Sequence, residues 1–415
     1  MRRVPTGTVR PGWEEQVARD GLVFLDSQLP GGEVVKYWRE GPYYEFSAAE
    51  VDELEEHVRT IFAMCVEAGD HLLANPALLR RMGIPEAAFA EIARTWEEEP
   101  PSVYARFDLR YAGVGELADA DPSLRVPKLL EFNADTPTSL LESAVIQWRW
   151  FEHTQQGGDQ WNSLHERLVA AWRRQIGEHE RRTGRPVARI HFAYTADETS
   201  GEDQMNTTYL ADTAREAGYE VELLHTEDIG LGEDGNFYDL HRRRIEVIFK
   251  LYPWEWLVED RFGPAVIASG RRPGGTVWIE PIYKMLWSNK GLLPVLWRLY
   301  RDDPHRRRYL LPAYFADEPH GLSRYVVKPL LGREGANIRI VDEVGTVLET
   351  PGPYGDEGAV VQEFAALPDF SGADGSHHPV LGAWLVDGEP AGLAIRESPG
   401  LVTDNLSFFV PHVIR

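Results

Sequence analysis

The sequence predicts an α/β (α+β) fold of two or three closely packed domains, and three observations predict it. Between about 189 and 252, apolar strand-like runs alternate with a helical stretch, the pattern of a small parallel sheet with crossover helices. Short period-2 strands that end on charged side chains stand before and after that unit. The chain has 415 residues, 43% hydrophobic and 11% aromatic, enough to bury a large core.

The elements follow in order. Residues 1 to about 100 are expected to be mostly helical. Ser47-x-x-Glu50 forms a capping box ahead of a helix with Ile61, Met64 and Cys65 at apolar spacing, and the region closes on the acidic run Trp96-Glu97-Glu98-Glu99-Pro100. Tyr104-Ala-Arg106-Phe-Asp108-Leu-Arg110-Tyr111 and Lys128-Leu-Leu-Glu131-Phe-Asn133 read as two short strands, separated by an acidic surface excursion over 113–127. A Trp-rich helix is expected from about 139 to 180. The parallel unit comprises a strand at Arg189-Ile-His191-Phe-Ala-Tyr194, a helix over about 201–217, and strands at Glu220-Val-Glu-Leu-Leu224 and Ile245-Glu-Val-Ile-Phe-Lys250-Leu-Tyr252. Ser288-Asn289-Lys290-Gly291 opens a Leu/Trp-rich helix, Tyr325-Val-Val-Lys328-Pro329 ends a strand, and Asp387-Gly388 signals a hairpin. Neither an internal repeat nor a low-complexity tract is present. The expected division is 1–185, helical with the two charged strands; 186–280, the parallel unit; and 281–415.

The chemistry concentrates at strand ends. Alternation puts Glu131 and Asn133 on one face, and Asp135, Thr136, Thr138 and Ser139 follow at once. Hard oxygen ligands beside hydroxyl and backbone donors suit Mg²⁺ held between protein and phosphate. Taken alone, the stretch also fits a strand ending in a polar turn. Arg106 and Asp108 likewise share a face; a guanidinium fork suits phosphate oxygens and an aspartate suits a cation, although a surface ion pair reads the same way. Lys290 and Lys328 stand in apolar settings. Lys328 precedes a loop with Gly332 and Gly335 at its turning points, which can lay backbone N–H groups on phosphates. Val360-Val361-Gln362-Glu363-Phe364 turns from apolar to polar as a nucleotide hinge would, and Gly392-Leu-Ala-Ile395-Arg396-Glu397-Ser398 ends on a guanidinium and a carboxylate.

These segments, in this order, resemble the glutathionylspermidine synthase family. The resemblance rests on Arg106-x-Asp108, Glu131-Phe-Asn133-Ala-Asp135-Thr136, Glu280-Pro281…Asn289-Lys290-Gly291, Val327-Lys328-Pro329…Gly332-Arg333…Gly335…Asn337-Ile338 and Arg396-Glu397-Ser398, and covers nearly the whole chain. It implies an ATP-grasp fold preceded by a small pre-ATP-grasp unit, and an ATP-dependent carboxylate–amine ligase that forms an amide through an acyl-phosphate and releases ADP and phosphate. ATP and Mg²⁺ are the implied cofactors. Asp108, Glu131 and Asn133 match the metal ligands, and Arg106 and Arg396 the arginines that stabilise the transferring phosphoryl group. Lys290 and Lys328 match the phosphate lysines. Gly332, Gly335 and Asn337 fall in the covering loop, and Gln362 and Glu363 at the adenine hinge. Thr136 and Thr138 sit where family serines line the acyl-acceptor site, and Glu202 and Asp203 near paired acids that receive a polyamine. The implied partners are a small-molecule or peptide carboxylate, such as glutathione, and a polyamine or other amine.

The residue chemistry supports the same reaction, because phosphoryl transfer needs positioning and charge neutralisation rather than a nucleophilic Ser, Cys or His. The bifunctional members carry an amidase domain with a catalytic cysteine; here the lone Cys65 reads as core, so amidase activity is not expected. The segment from Thr403 to Ile414 resembles the shorter, single-domain members, for which the substrate is not fixed. One cysteine permits no internal disulfide, which agrees with a cytoplasmic protein, and neither a transmembrane run nor a signal-peptide core is visible. A net charge of −23 disfavours nucleic-acid partners, and it either keeps the protein soluble or favours approach of a polyamine or another cation. Two alternatives stand beside the ligase: a glycan hydrolase using paired carboxylates among the 13 Trp residues, and a nucleotide-binding protein without turnover. His191, His225 and His412 lack paired ligand spacing and read as structural, and Trp148, Trp150, Trp254 and Trp256 read as core. His241-Arg-Arg-Arg244 and His305-Arg-Arg-Arg308 are basic islands in an acidic chain, read as solvated faces or as a local docking site for an anion.

Overall fold

Three sheets carry the molecule in a computed structural model that describes all residues except 29–33, 199, 373–374 and 404–406. The middle of the chain forms the expected parallel sheet, ordered Val277–Ile279, Val247–Leu251, Arg189–Tyr194, Glu220–His225, with helix Glu202–Glu216 crossing between the last two. An antiparallel sheet of five strands, ordered Ala313–Phe315, Ala359–Glu363, Tyr325–Pro329, Arg339–Asp342, Gly345–Glu349, carries Lys328 and Gln362. The second antiparallel sheet is ordered Phe408–Phe409, Glu389–Ser398, His378–Val386, Tyr104–Arg110, Lys128–Asn133. It joins strands from the two ends of the chain, so the division at 185 and 280, which we retain as a proposal, is bridged by backbone hydrogen bonds.

Local chemistry explains the boundaries. Helix Ala48–Leu73 starts with the expected capping box, in which the Ser47 hydroxyl accepts from Glu50 N–H and Glu50 accepts from Ser47 N–H. The hairpin of His378–Val386 and Glu389–Ser398 turns at Asp387 and Gly388, both at positive φ (58° and 79°), as a tight two-residue turn requires. Cys65 is fully buried, and burial pushes its thiol up.

Four expectations change. The first hundred residues are helical only from Ala48; before it, Arg2–Val4 and Tyr43–Phe46 pair, and His412–Ile414 joins the second of them in parallel. The partner strand lies at the far end of the sequence, so local pattern could not reveal it. The Trp-rich helix is two helices, a π turn at Glu142–Ile146 running into Gln147–Thr154, and then Leu164–Thr183. Between them Gln155 and Gly157 take positive φ, and a Cβ on Gly157 would lie 2.6 Å from that of Val413, so the chain must leave the helix to pass His412–Ile414. The 113–127 excursion folds into helix Glu116–Ala120 and turn Pro122–Arg125, burying Ala118 and Leu124 against Ala112. Trp148, Trp150 and Trp254 are buried or half-buried, but Trp256 is 42% exposed.

Candidate active site

Two strands supply the centre. Tyr104–Arg110 and Lys128–Asn133 run antiparallel with Arg106 opposite Asn133 and Asp108 opposite Glu131, so alternation puts all four side chains on one face. The Arg106 guanidinium donates to Asp108 at 2.8 and 3.4 Å and to the Thr138 carbonyl at 2.6 Å. Arg396, two strands away, reaches over His378–Val386 and also bonds Asp108. Gly382, the partner of Asp108 on that intervening strand, makes this possible: a Cβ there would meet Arg106 Cδ at 2.9 Å and Ala394 Cβ at 3.2 Å. Sequence reading passed over Gly382, although a glycine inside a strand is itself the signal of a close approach.

The second compartment holds the lysines. Lys290 lies 3.1 Å from Glu131 and donates to the Gly332 carbonyl at 2.5 Å; Asn289 fixes its turn by donating to the Met82 carbonyl and accepting from Gly291 N–H. Lys328 donates to the Leu130 carbonyl at 3.0 Å and to Gln362 Oε1 at 2.7 Å. Burial pushes Lys328 down to about 8 against the attraction of Glu131. Burial raises the Glu131 carboxyl, but Lys290, the amide of Asn133 at 2.9 Å, Lys328 and Arg396 together hold it far below the usual range. Asp108, Glu131, Lys290, Lys328 and Arg396 thus line one cleft, with Leu311, Val326 and Ile340 as apolar wall and Gln362 to Phe364 at its edge. Glu363 is exposed at the rim. Asn337 is turned elsewhere: its carbonyl oxygen accepts from Tyr354 N–H at 2.8 Å and braces the loop from behind.

Two carboxylates in register and an amide beside them form a donor set of the kind that holds Mg²⁺ through one or two carboxylates and phosphate oxygens. Asp108, Glu131 and Asn133 therefore fit the metal that the sequence implied.

The third compartment lies beyond Arg106. The turn after Asn133 is tied down by Asp135, whose carboxylate accepts from Lys250 at 2.7 Å and Trp254 N–H at 2.9 Å, all three buried. Ser288 accepts from the N–H groups of Ala134 and Asp135. Thr136 accepts from Arg333 at 2.8 Å, and Arg333 also holds Glu255 at 2.5 Å, so the loop over the lysines is anchored to this turn. Arg333, quoted in the sequence motif without a role, is a second residue that sequence reading left out. Thr138 lies beside Glu202 and favours its charged form, and Asn206 on the same helix accepts from Leu140 N–H at 2.8 Å. Burial raises Glu202, and burial together with Glu202, Glu198 and Glu334 pushes Asp203 up to about 7. Glu142, with Tyr37 donating to it at 2.8 Å, is pushed up to about 7 by burial and then by Glu202. Tyr37 and Glu142 carried no sequence signal.

A cleft of about 680 Å³ around Arg94, His179 and Trp278 contains none of the charged residues of these compartments, so chemistry rather than volume locates the site. His191 bonds Asp239 at 3.2 Å, and His412 bonds Gln147 at 3.0 Å, each inside the core. No helix among the described residues is long and apolar enough to cross a membrane.

A family model described as "Glutathionylspermidine synthase preATP-grasp" matches residues 4–415. A Haemophilus influenzae protein named "Putative acid--amine ligase" is 36% identical over 425 residues, covering 99% of each chain. Trypanothione synthetase of Crithidia fasciculata is 26% identical over 81% of this chain and 51% of its own. The bifunctional glutathionylspermidine synthetase/amidase of Escherichia coli is 25% identical over 90% of this chain and 59% of its own, so the chain spans little more than half of these two relatives. Among solved structures, a glutathione synthetase-like effector from Globodera pallida superposes with a TM-score of 0.55 at 9% identity, over 97% of this chain and 96% of that one. That likeness concerns the fold, which is of the ATP-grasp class.

Proposed function

The chain belongs to the glutathionylspermidine synthase family and is an ATP-dependent acid–amine ligase, and from that premise we propose that it makes an amide through an acyl-phosphate. One observation supports the reading above all: Arg106, Asp108, Glu131, Asn133 and Arg396 share one sheet face, Lys290 and Lys328 line a cleft with Asp108, Glu131 and Arg396, and Arg106 holds the carbonyl of Thr138, which lies beside Glu202. Nucleotide and amine can then meet at the same carboxylate.

In the first step a carboxylate oxygen of the donor attacks the terminal phosphorus of ATP and the bond to ADP breaks. In the second, the amine nitrogen attacks the acyl carbon, the acyl C–O bond breaks, and phosphate leaves with its electron pair. Lys290 and Lys328 hold the phosphate chain, while the forks of Arg106 and Arg396 neutralise charge that grows on the moving phosphoryl oxygens. Bound Mg²⁺, held by Asp108, Glu131 and Asn133, would supply further charge neutralisation. Asp203 and Glu202 attract the cationic amine, and Asp203, poised near neutrality, takes the proton that the nitrogen must lose. For the donor we favour a peptide such as glutathione and for the acceptor a polyamine, on the names of the relatives and on this acidic pocket. Glycan hydrolysis would leave Lys290, Lys328 and Arg396 without a role in the cleft they share.

The test is ADP release measured over a panel of peptides and amines. ADP formation that requires both a carboxylate and an amine, with stoichiometric amide, is expected. ADP release indifferent to the amine, or none across the panel, would refute the reading.

A further inference from the structure

A second charged cleft, of about 620 Å³, shares part of its lining with the nucleotide cleft. Arg110, Lys128, Arg307 and Arg308 line it, with Asp121 and Glu363 as its acids. Leu311 and the residues from Glu363 to Ala365 belong to both clefts, so the two sites are separated by one layer of chain.

The charge balance of this cleft is unusual for a protein of net charge −23. Arg110 pairs with Asp121 at 3.1 Å, and its remaining N–H groups go to the Ala366 carbonyl and to Ser123. Lys128 ends on two carbonyls, those of Arg308 at 2.6 Å and Leu310 at 3.2 Å. Arg307 donates to the Arg301 carbonyl, and Arg308 meets His57 at 2.9 Å. Among the described residues, no carboxylate lies within ion-pair distance of Lys128, Arg307 or Arg308, whereas their neighbour Arg306 is paired with Glu67 and Asp303. Burial and the charges of Arg110, Arg307 and Arg308 push Lys128 down, against the pull of Glu363, as expected where cations outnumber the acids beside them.

We propose that this cleft binds a small, multiply charged phosphate anion of the oligophosphate class, at a site separate from that of amide formation. Guanidinium forks match phosphate oxygens, and three unneutralised cations match the charge of a diphosphate better than that of a single carboxylate. The position between helix Pro304–Arg307 and the 121–128 segment, a cleft open on one side, suits a small anion rather than a duplex. Occupancy is coupled to the nucleotide cleft through the shared wall and through strand Lys128–Asn133, which starts in one site and ends in the other.

The experiment is calorimetric titration of the full chain with inorganic pyrophosphate, without Mg²⁺, in salt of about 0.15 M to screen loose surface binding. Four proteins are compared: wild type, Lys328→Ala, the double variant Arg307→Ala/Arg308→Ala, whose changes are on exposed side chains, and the triple variant that combines all three changes. Lys328→Ala is expected to keep a pyrophosphate site, and adding the double change to it should weaken that site by at least about tenfold. Loss of all binding in Lys328→Ala, or an unchanged titration in the double variant, overturns the proposal. ADP as titrant separates the two sources of the phosphate chain: equal affinity marks a nucleotide ligand, and affinity for pyrophosphate alone an inorganic one.

Discussion

Replacing Arg396 by Ala tests the assignment of the two arginines to the transferring phosphoryl group. Arg396 is 21% exposed and its structural partner is Asp108, at 4%. Removing it leaves Asp108 bonded to Arg106 at 2.8 and 3.4 Å, so the carboxylate is not abandoned. The stability loss is then that of one hydrogen bond to a charged group, about 1.5–3 kcal/mol, well below the cost of an unpaired buried charge. The kinetic loss should be larger. A donor aimed at charge that develops only in the transition state contributes about 2.7–4 kcal/mol, or about 10²–10³ in kcat. The phosphates of bound ATP retain Lys290 and Lys328, so nucleotide affinity should fall by much less, about tenfold at most. Single-turnover ADP release gives the first quantity, a binding titration with Mg²⁺–ATP the second, and a melting curve excludes unfolding. Equal losses in rate and affinity would mean that Arg396 binds ground-state phosphate, and the assigned role would be wrong.

The other expectations follow from single contacts. Glu131→Gln removes one of two carboxylates in register and should shift the Mg²⁺ titration of activity to higher concentration; an unchanged midpoint removes Glu131 from the metal site. Gly382→Ala presses a Cβ to 2.9 Å from Arg106 Cδ and should lower kcat with little change in melting temperature, whereas full activity would show that Arg106 can give way. Asp135→Ala strands Lys250 in the core and should destabilise by about 3–5 kcal/mol, read by urea denaturation. Asp203 is raised to about 7, so the folded protein binds its proton more tightly than the unfolded chain does. Its contribution to stability therefore falls as pH rises from about 4 to 7, and Asp203→Asn should melt higher than wild type at pH 8 but not at pH 4. In the same variant KM for a cationic amine should lose its rise below pH 7.

Alternation made half of the site readable. Period 2 placed Arg106 with Asp108 and Glu131 with Asn133, and both placements needed only the strands that carry them. What alternation cannot give is register. That Asp108 faces Glu131 depends on the bulge after Asp108 and on the folded 113–127 segment, whose packing of Ala118 and Leu124 has no period to read. Strand order is a second thing local pattern lacks: Arg396 reaches Asp108 only because the C-terminal hairpin inserts next to a strand almost three hundred residues earlier. The parallel unit was legible for the opposite reason, since its strands and crossover helix are adjacent in sequence. The same contrast explains the missed residues. Gly382 and Arg333 had local signals, a glycine inside a strand and a lone cation in a glycine loop. Tyr37 and Glu142 come together only when the N-terminal segment folds back onto a π turn. The Asp135–Lys250 pair belongs with these non-local contacts, and it is the one on which the rest depends. It ties the end of the Glu131–Asn133 strand to the parallel sheet, while Arg333 ties the Gly332–Gly335 loop to the next residue, Thr136. Three units from distant parts of the sequence thereby meet at two adjacent residues, and a change at either should move all three compartments of the site together.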